Sequence, residues 1–404
     1  MKRRTVLGLG GAAVPAALAV PGPGSSGKRR WTHTWTAMPQ LTEPGNMPPA
    51  PFTGPESVLA DTTLRQTVHV TVGGSRLRVR LSNAFGGSAL PITAAAVGLP
   101  AGGRAGVSAA SSLRPLRFGG RASVVVPAGA QIVSDPVPFP LLPGANLTIS
   151  LYLAEGQAGT ALTSHPGSRT TSYLRNGDAH RAADLPGATP VDHWYLISGV
   201  EVESAASALV IVGDSLTDGR GSTTNGNDRW PDQLFALRPR TAVLNQAAGG
   251  NRVLNDGLGP NVLARLDRDV LATSGVERLL LFEGVNDIGT APATPDGQRQ
   301  VVDDLLMAYG QVVLRAHAEG IRAYGATITP FGGFESYDDP GGLREQSRRE
   351  VNASLHGIFD SVVDFDAAVR DPARPSRLNP AYDTGDHLHL NPAGYAALAR
   401  AALR

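Results

Sequence analysis

The sequence predicts two successive architectures: an all-β sandwich or jelly-roll-like region over residues 31–203, then an α/β region with a parallel sheet over residues 204–404. Three observations carry this. Residues 31–203 alternate apolar and polar positions with period two and contain no helix-length periodic stretch. After the small-residue linker Ser204-Ala205-Ala206-Ser207 the texture changes to short, wholly apolar runs separated by amphipathic segments. Such runs suit strands covered on both faces, the signature of a parallel sheet built from βαβ units.

At the N-terminus, Met1-Lys2-Arg3-Arg4 precedes an uncharged Gly- and Ala-rich run from Thr5 to Gly27, with Ala17-Leu18-Ala19 offering a small-x-small cleavage site. This is the anatomy of an export signal. Its apolar core, Val6 to Val20, is broken by Pro15 and several glycines, and is too short and weak for a spanning helix, so stable membrane insertion is not expected. The Arg3-Arg4 pair followed by Thr5-Val6-Leu7 resembles a twin-arginine signal, so residues 1–30 are read as an export signal and linker, and the mature chain as secreted or periplasmic.

In the β region, Thr62, Leu64, Gln66, Val68, Val70 and Val72 alternate with their neighbours. Leu77, Val79 and Leu81 do the same beyond Gly73-Gly74-Ser75, a pattern that predicts a hairpin across that turn. Ser123 to Val126, Asn146 to Leu153 and Trp194 to Val202 are further strand candidates between Pro and Gly clusters.

In the α/β region the predicted strands are Ala208 to Val212, Ala242 to Leu244, Leu279 to Phe282, Ile321 to Ile328 and Ser361 to Phe365. Val301, Val302, Leu305, Leu306, Tyr309, Val312, Val313 and Ala316 fall at helical spacing, as does the segment Tyr395 to Leu403.

Composition narrows the chemistry. The 404 residues carry 36 basic and 35 acidic side chains and no cysteine. The charge balance disfavours a nucleic-acid partner. The lack of cysteine excludes a thiol nucleophile, a disulfide framework and thiolate metal sites. Ser, His, Asp, Glu and Asn remain.

Those residues collect where an open parallel sheet binds its ligands, beyond the carboxyl ends of the strands. The first strand runs into Gly213-Asp214-Ser215-Leu216-Thr217-Asp218-Gly219, and the second into Asn245-Gln246-Ala247-Ala248-Gly249-Gly250-Asn251. The third ends in Gly284-Val285-Asn286-Asp287, and the last leads to Asp386-His387-Leu388-His389-Leu390-Asn391-Pro392. A serine at a strand-to-helix turn presents both its hydroxyl and its own N–H, as a nucleophile and an oxyanion donor require. Asp386 and His389 are three apart, so in a turn the carboxylate reaches the imidazole and fixes its tautomer. No Gly-x-Ser-x-Gly and no phosphate-binding glycine loop occurs.

In this order the four blocks resemble the SGNH (GDSL-type) hydrolases, a family of esterases and lipases, over about Ala208 to Arg404. The resemblance implies a flavodoxin-like three-layer αβα domain with Ser215 as nucleophile, His389 as its base and Asp386 orienting His389. It implies an oxyanion hole from the N–H of Ser215, the N–H of Gly250 and the side-chain amide of Asn286. Gly249 is the alternative to Gly250, because the run Gln-Ala-Ala-Gly-Gly departs from the one many members carry. No metal or organic cofactor is then required. The stretch Trp230-Pro231-Asp232-Gln233 resembles members that deacylate polysaccharides and aryl esters. The expectation is therefore an exported serine esterase acting on short acyl groups of carbohydrate or aryl alcohols, with small-molecule or polysaccharide esters as substrates.

Plainer roles compete at each position. Asp214 or Ser215 could merely cap a helix, and Asn286 could merely start a turn. His387 reads as a solvated or packing residue, against a metal pair with His389 and Asp383 or Asp386. Trp230 reads as core or as a wall of the cleft. Two other functions compete with the serine esterase: a metal-dependent hydrolase at Asp386 and His389, and a carbohydrate-binding protein with an idle hydrolase domain.

Overall fold

The computed structural model describes residues 29–403. The export signal read in residues 1–30 lies outside the described residues except for Arg29 and Arg30, and Arg30 already opens the strand Arg30–Thr36. Among the described residues no helix is long and apolar enough to cross a membrane.

The N-terminal region is built from mostly antiparallel strands in two principal sheets. One joins Arg30–Thr36, Ile197–Ser204, Gly74–Ser82 and Gln131–Val133, with Val137–Leu141 also on Gly74–Ser82. The other runs Thr189–Val191, Ser172–Asn176, Thr62–His69, Asn146–Leu153, Ala94–Gly98 and Arg114–Pro115. Leu64 and Val68 from the second sheet and Leu77, Val79 and Leu81 from the first are all fully buried in one core.

This corrects the expected hairpin across Gly73-Gly74-Ser75. Thr62–His69 and Gly74–Ser82 lie in different sheets, and the former pairs instead with Asn146–Leu153 and Ser172–Asn176. Alternation reports which face of a strand is buried but not which strand pairs with it, and here both strands turn their apolar faces into the same core. The alternate positions of Thr62–His69 are buried too. Arg65 directs its guanidinium to the carbonyls of Gly106, Ala182 and Ala183 in covering loops, while Gln66, on the core face with Leu64 and Val68, donates to Tyr195 O at 2.9 Å. The run Trp194 to Val202 is broken at Leu196, whose φ of 64° splits it into Trp194–Tyr195 and Ile197–Ser204.

The C-terminal region is the predicted αβα unit. Ala208–Gly213, Ala242–Ala247, Val276–Phe282, Arg322–Ala326 and Ser361–Val363 form one sheet in the spatial order second, first, third, fourth, fifth, with every pairing parallel. That order is the flavodoxin-like doubly wound one, and its reversal lies at the first strand. Pro295–Ala318 packs with Leu343–Ser354 in one helical layer. Trp230–Leu237, Phe365–Val369 and Pro392–Ala401 pack together in the other. The long helix begins with Thr294 accepting from Gly297 N and Pro295 in the first turn, a capped start that suits the fixed φ of proline.

The path from the fifth strand to the Asp386 segment is more than the expected loop. It includes the helix Phe365–Val369 and a small hairpin, Arg370–Asp371 with Arg374–Leu378.

The two regions pack against each other along the strand Arg30–Thr36. Thr36 Oγ1 donates to Asn245 O on the edge strand of the parallel sheet at 3.1 Å, and His33 N donates to Ser274 O at 3.1 Å. Ser274 Oγ donates at 2.9 Å to Glu201, which also pairs with Arg78 and Arg80.

Candidate active site

Ser215 is the first residue of the short helix Ser215–Asp218, immediately beyond the strand Ala208–Gly213. Asp214 caps this turn by accepting from Leu216 N at 2.9 Å. The capping role and an active-site role therefore fall on neighbouring residues: the Asp214 carboxylate holds the turn and leaves the Ser215 hydroxyl free. Gly213 has no room for a side chain, since a Cβ there would lie 2.4 Å from Thr217 Oγ1.

Ser215 Oγ lies 2.8 Å from His389 Nε2, and His389 Nδ1 lies 2.6 Å from Asp386 Oδ2. The other carboxylate oxygen of Asp386 accepts the N–H groups of His389 at 2.8 Å and Leu388 at 3.0 Å. The turn thus binds its own acid in place, with Gly385 and His387 at φ of 102° and 69°. Burial works against a charge on Asp386, but the His389 N–H, the imidazole and the Leu388 N–H outweigh it and hold its pKa down at about 2. Burial also lowers the imidazole of His389 below its ordinary 6.5. Asp386 pulls the other way, while Arg220 and Arg169 add to the lowering.

Asn286 sits in the helix Val285–Thr290 beyond the third strand and is buried at the cleft floor. Its Nδ2 donates to Asn251 O at 2.8 Å, and its Oδ1 accepts from Tyr337 Oη at 2.9 Å. These two bonds fix which way the amide faces and leave its second N–H available. Gly249 and Gly250 line the same cavity, and Gly250 has φ of 71°, a conformation glycine adopts without strain. The backbone N–H groups of Ser215, Gly249 and Gly250 find no acceptor among the described residues. Free N–H groups around a serine hydroxyl form the arrangement an oxyanion needs. The geometry keeps both glycines in play.

His387 is exposed and bonds Asp383 Oδ2 through Nδ1 at 2.7 Å. Both ring nitrogens of His389 are taken by Ser215 and Asp386, so that imidazole has no nitrogen to offer a metal. Among the described residues no group of three or more His, Asp or Glu side chains is arranged to hold one. Trp230 is fully buried, edge-on to Phe365, with its indole N–H on Thr217 Oγ1 at 3.2 Å. It belongs to the core and braces the nucleophile turn from beneath.

Three further acids lie behind the site. Burial raises Asp214 to about 7 and Asp287 to about 6, and raises Glu283 well above the usual glutamate value. Asp287 accepts Val253 N at 2.9 Å and Leu254 N at 3.0 Å, which shapes the loop after the second strand.

The cleft over Ser215 is an open cavity of about 580 Å³, and both regions line it. Gln40, Glu43, Asn46, Arg169 and His193 of the β region line it together with Phe334, Tyr337 and Leu258 of the α/β region. The sequence suggests that the β region borders the cleft, but it singles out neither Tyr337 and Phe334 nor the β-region residues that line it. The strand-end rule points to Tyr337 once it is applied to the fourth strand, Arg322–Ala326, whose following loop carries both aromatics. Nothing in the local pattern of Gln40 or Arg169 marks them.

This fold and site define a carboxylic ester hydrolase with a parallel-sheet α/β hydrolase domain. Residues 211–397 match the GDSL-like Lipase/Acylhydrolase family. Solved structures similar to the chain include a lipolytic protein of the G-D-S-L family from Desulfitobacterium hafniense DCB-2, at 20% identity over 48% of this chain and 97% of that one, TM-score 0.38. A GDSL-like lipase from Bacteroides thetaiotaomicron VPI-5482 is 17% identical over 49% and 86%, TM-score 0.38. Axe2, an acetylxylan esterase from Geobacillus stearothermophilus, is 23% identical over 49% and 94%, TM-score 0.37. No curated protein matches the chain.

Proposed function

We propose that the protein hydrolyses esters through an acyl-enzyme on Ser215. The observation that carries this is the continuous relay from Ser215 Oγ through both nitrogens of His389 to Asp386, at 2.8 and 2.6 Å. In this reading His389 Nε2 takes the Ser215 proton as Oγ bonds to the ester carbonyl carbon. Asp386 stabilises the imidazolium. The oxyanion is held by Ser215 N–H, Gly250 N–H and the free N–H of Asn286. The intermediate collapses as His389 returns the proton to the leaving alcohol. Water then repeats the sequence on the acyl-enzyme and releases the acid.

The substrates proposed are short acyl esters of carbohydrate or aryl alcohols. Leu258 supports the short acyl group, because it crowds Gly250 closely enough that a Cβ there would meet it at 2.6 Å. The polar lining supplied by Gln40, Asn46 and His193 suits hydroxyl-rich alcohols. Ser215→Ala is expected to abolish turnover of p-nitrophenyl acetate and labelling by a fluorophosphonate, and Asn286→Ala to lower kcat by about 10²–10³. Undiminished turnover by the serine variant, or labelling at another serine, refutes the assignment.

We also propose export through the Arg3-Arg4 signal. Replacing both arginines by lysine should strand precursor in the cytoplasm, where a chain with no disulfide to form can still fold. Unchanged export of that variant rules out the twin-arginine route.

A further inference from the structure

The cleft carries two cations without partners. Arg169 and Arg220 both line the cavity that holds Ser215 and His389. Neither guanidinium has a hydrogen-bond or ion-pair partner among the described residues, and the Nε of Arg169 is buried with no acceptor. A buried guanidinium N–H without an acceptor costs free energy that a ligand oxygen would recover.

The acids of the same cleft are already engaged. Glu43 accepts from Gln40 Nε2 at 2.5 Å and Asn46 Nδ2 at 2.9 Å, and Asp218 faces His165 Nε2 at 2.9 Å. Neither carboxylate is in ion-pair contact with Arg169 or Arg220 among the described residues.

The backbone holds Arg169 there at a cost. Its φ of 50° is the left-handed region that a long side chain seldom occupies. The carbonyl of Arg169 accepts from Asn225 N at 2.9 Å. The preceding Gly167 touches Asp218 so closely that a Cβ would fall 1.8 Å from its Oδ2. Arg220 follows the nucleophile helix directly, with its carbonyl accepting from Tyr395 Oη at 2.6 Å. Both side chains thus spring from anchored backbone on opposite sides of the boundary between the regions. Both line the same cavity as Ser215 and His389, and both charges help to lower the His389 imidazole.

We propose that Arg169 and Arg220 form a carboxylate-binding subsite, and that the preferred substrates are esters bearing a carboxylate near the scissile bond. A guanidinium fork matches a carboxylate in charge and geometry, and this cleft offers two. Two ester types present that group: hemiesters of dicarboxylic acids, with the carboxylate on the acyl side, and acylated acidic sugars, with it on the alcohol side. The inference rests on the ester-hydrolase reading above and deepens it.

The test compares p-nitrophenyl hemisuccinate with its neutral isostere p-nitrophenyl 4-methylpentanoate, and an O-acetylated methyl galacturonoside with the matching galactoside. The full-length protein should favour the acidic member of at least one pair by about tenfold in kcat/KM. Which pair responds identifies the side that carries the charge. The preference should collapse towards one in Arg169→Gln and in Arg220→Gln, survive in part in Arg169→Lys, and shrink as sodium chloride is added. Arg220 is exposed, so its variant reads the subsite even if Arg169→Gln disturbs the loop. Equal rates within both pairs, or a preference that persists in the double glutamine variant, overturns the proposal. Should no ester be turned over, the esterase reading fails instead. Calorimetric binding of succinate and galacturonate to the full-length Ser215→Ala protein then still decides the subsite: binding lost with Arg169→Gln supports it, and no binding refutes it.

Discussion

The chemistry of the site depends on one imidazole being neutral. His389 accepts the Ser215 proton only in its neutral form, so activity rises as pH passes upward through its pKa. Burial places that pKa below 6.5, so the acid limb of kcat/KM should have its midpoint on the acid side of 6.5. Asp386, held at about 2, stays ionised throughout that range. A profile of p-nitrophenyl acetate hydrolysis from pH 4 to 9 checks this, and a midpoint above 6.5 contradicts it. At this scale much could be read in advance. Gly213 to Gly219 and Asp386 to Pro392 are local segments whose spacing already dictates a turn, so the contacts Ser215–His389–Asp386 needed only the sheet to bring the two turns together. Tyr337 and Asn251, which aim the Asn286 amide, act across 51 and 35 positions of sequence and leave no local pattern.

Among the elements, the parallel strands were legible because burial on both faces forces runs such as Leu279 to Phe282 to be wholly apolar. The antiparallel ones declared their buried face but not their neighbour, and so the strands flanking Gly73-Gly74-Ser75 part into separate sheets. The end of the third parallel strand also carries an unspent cost. Glu283 is buried between Asp214, Asp287 and Arg265, with neither carboxylate oxygen hydrogen-bonded among the described residues. Burial first, and then Asp214, raise its pKa well above 4.5; Arg265, 3.7 Å away, does not offset them. The folded state therefore holds this proton where the unfolded state has lost it. From pH 4.5 up to the raised value, stability falls as pH rises. Glu283→Gln removes the titration, so its melting temperature relative to the parent should climb from pH 4.5 towards pH 8. A constant difference across that range would show that Glu283 does not change its protonation relative to the unfolded chain.

For the molecule as a whole, the question is whether the β region and the α/β region are separable. The change of texture at residues 204–207 marks where the chain passes from one to the other. Side chains from both sides nevertheless pack into a single continuous core. The strand Arg30–Thr36 lies along the edge of the parallel sheet, and an uncovered edge is a site for aggregation. Arg268 reaches Pro39 O at 3.4 Å and, with Arg265, pairs with Asp269 beneath that contact. His165 bridges to Asp218, three residues after the nucleophile. Residues 31–203 thus serve as both a wall of the cleft and a cover for the catalytic sheet. A protein beginning at Ser204 loses the edge cover, the His165 bridge and one side of the 580 Å³ cavity together. It is expected to aggregate or to melt more than about 10 °C below the full-length protein, as the loss of several kcal/mol from a domain of this size would produce. Any soluble fraction should hydrolyse p-nitrophenyl acetate with a flattened preference among bulkier esters. A truncated protein that melts with the full-length one and keeps its whole selectivity profile would show that the β region neither stabilises the catalytic sheet nor chooses its substrate.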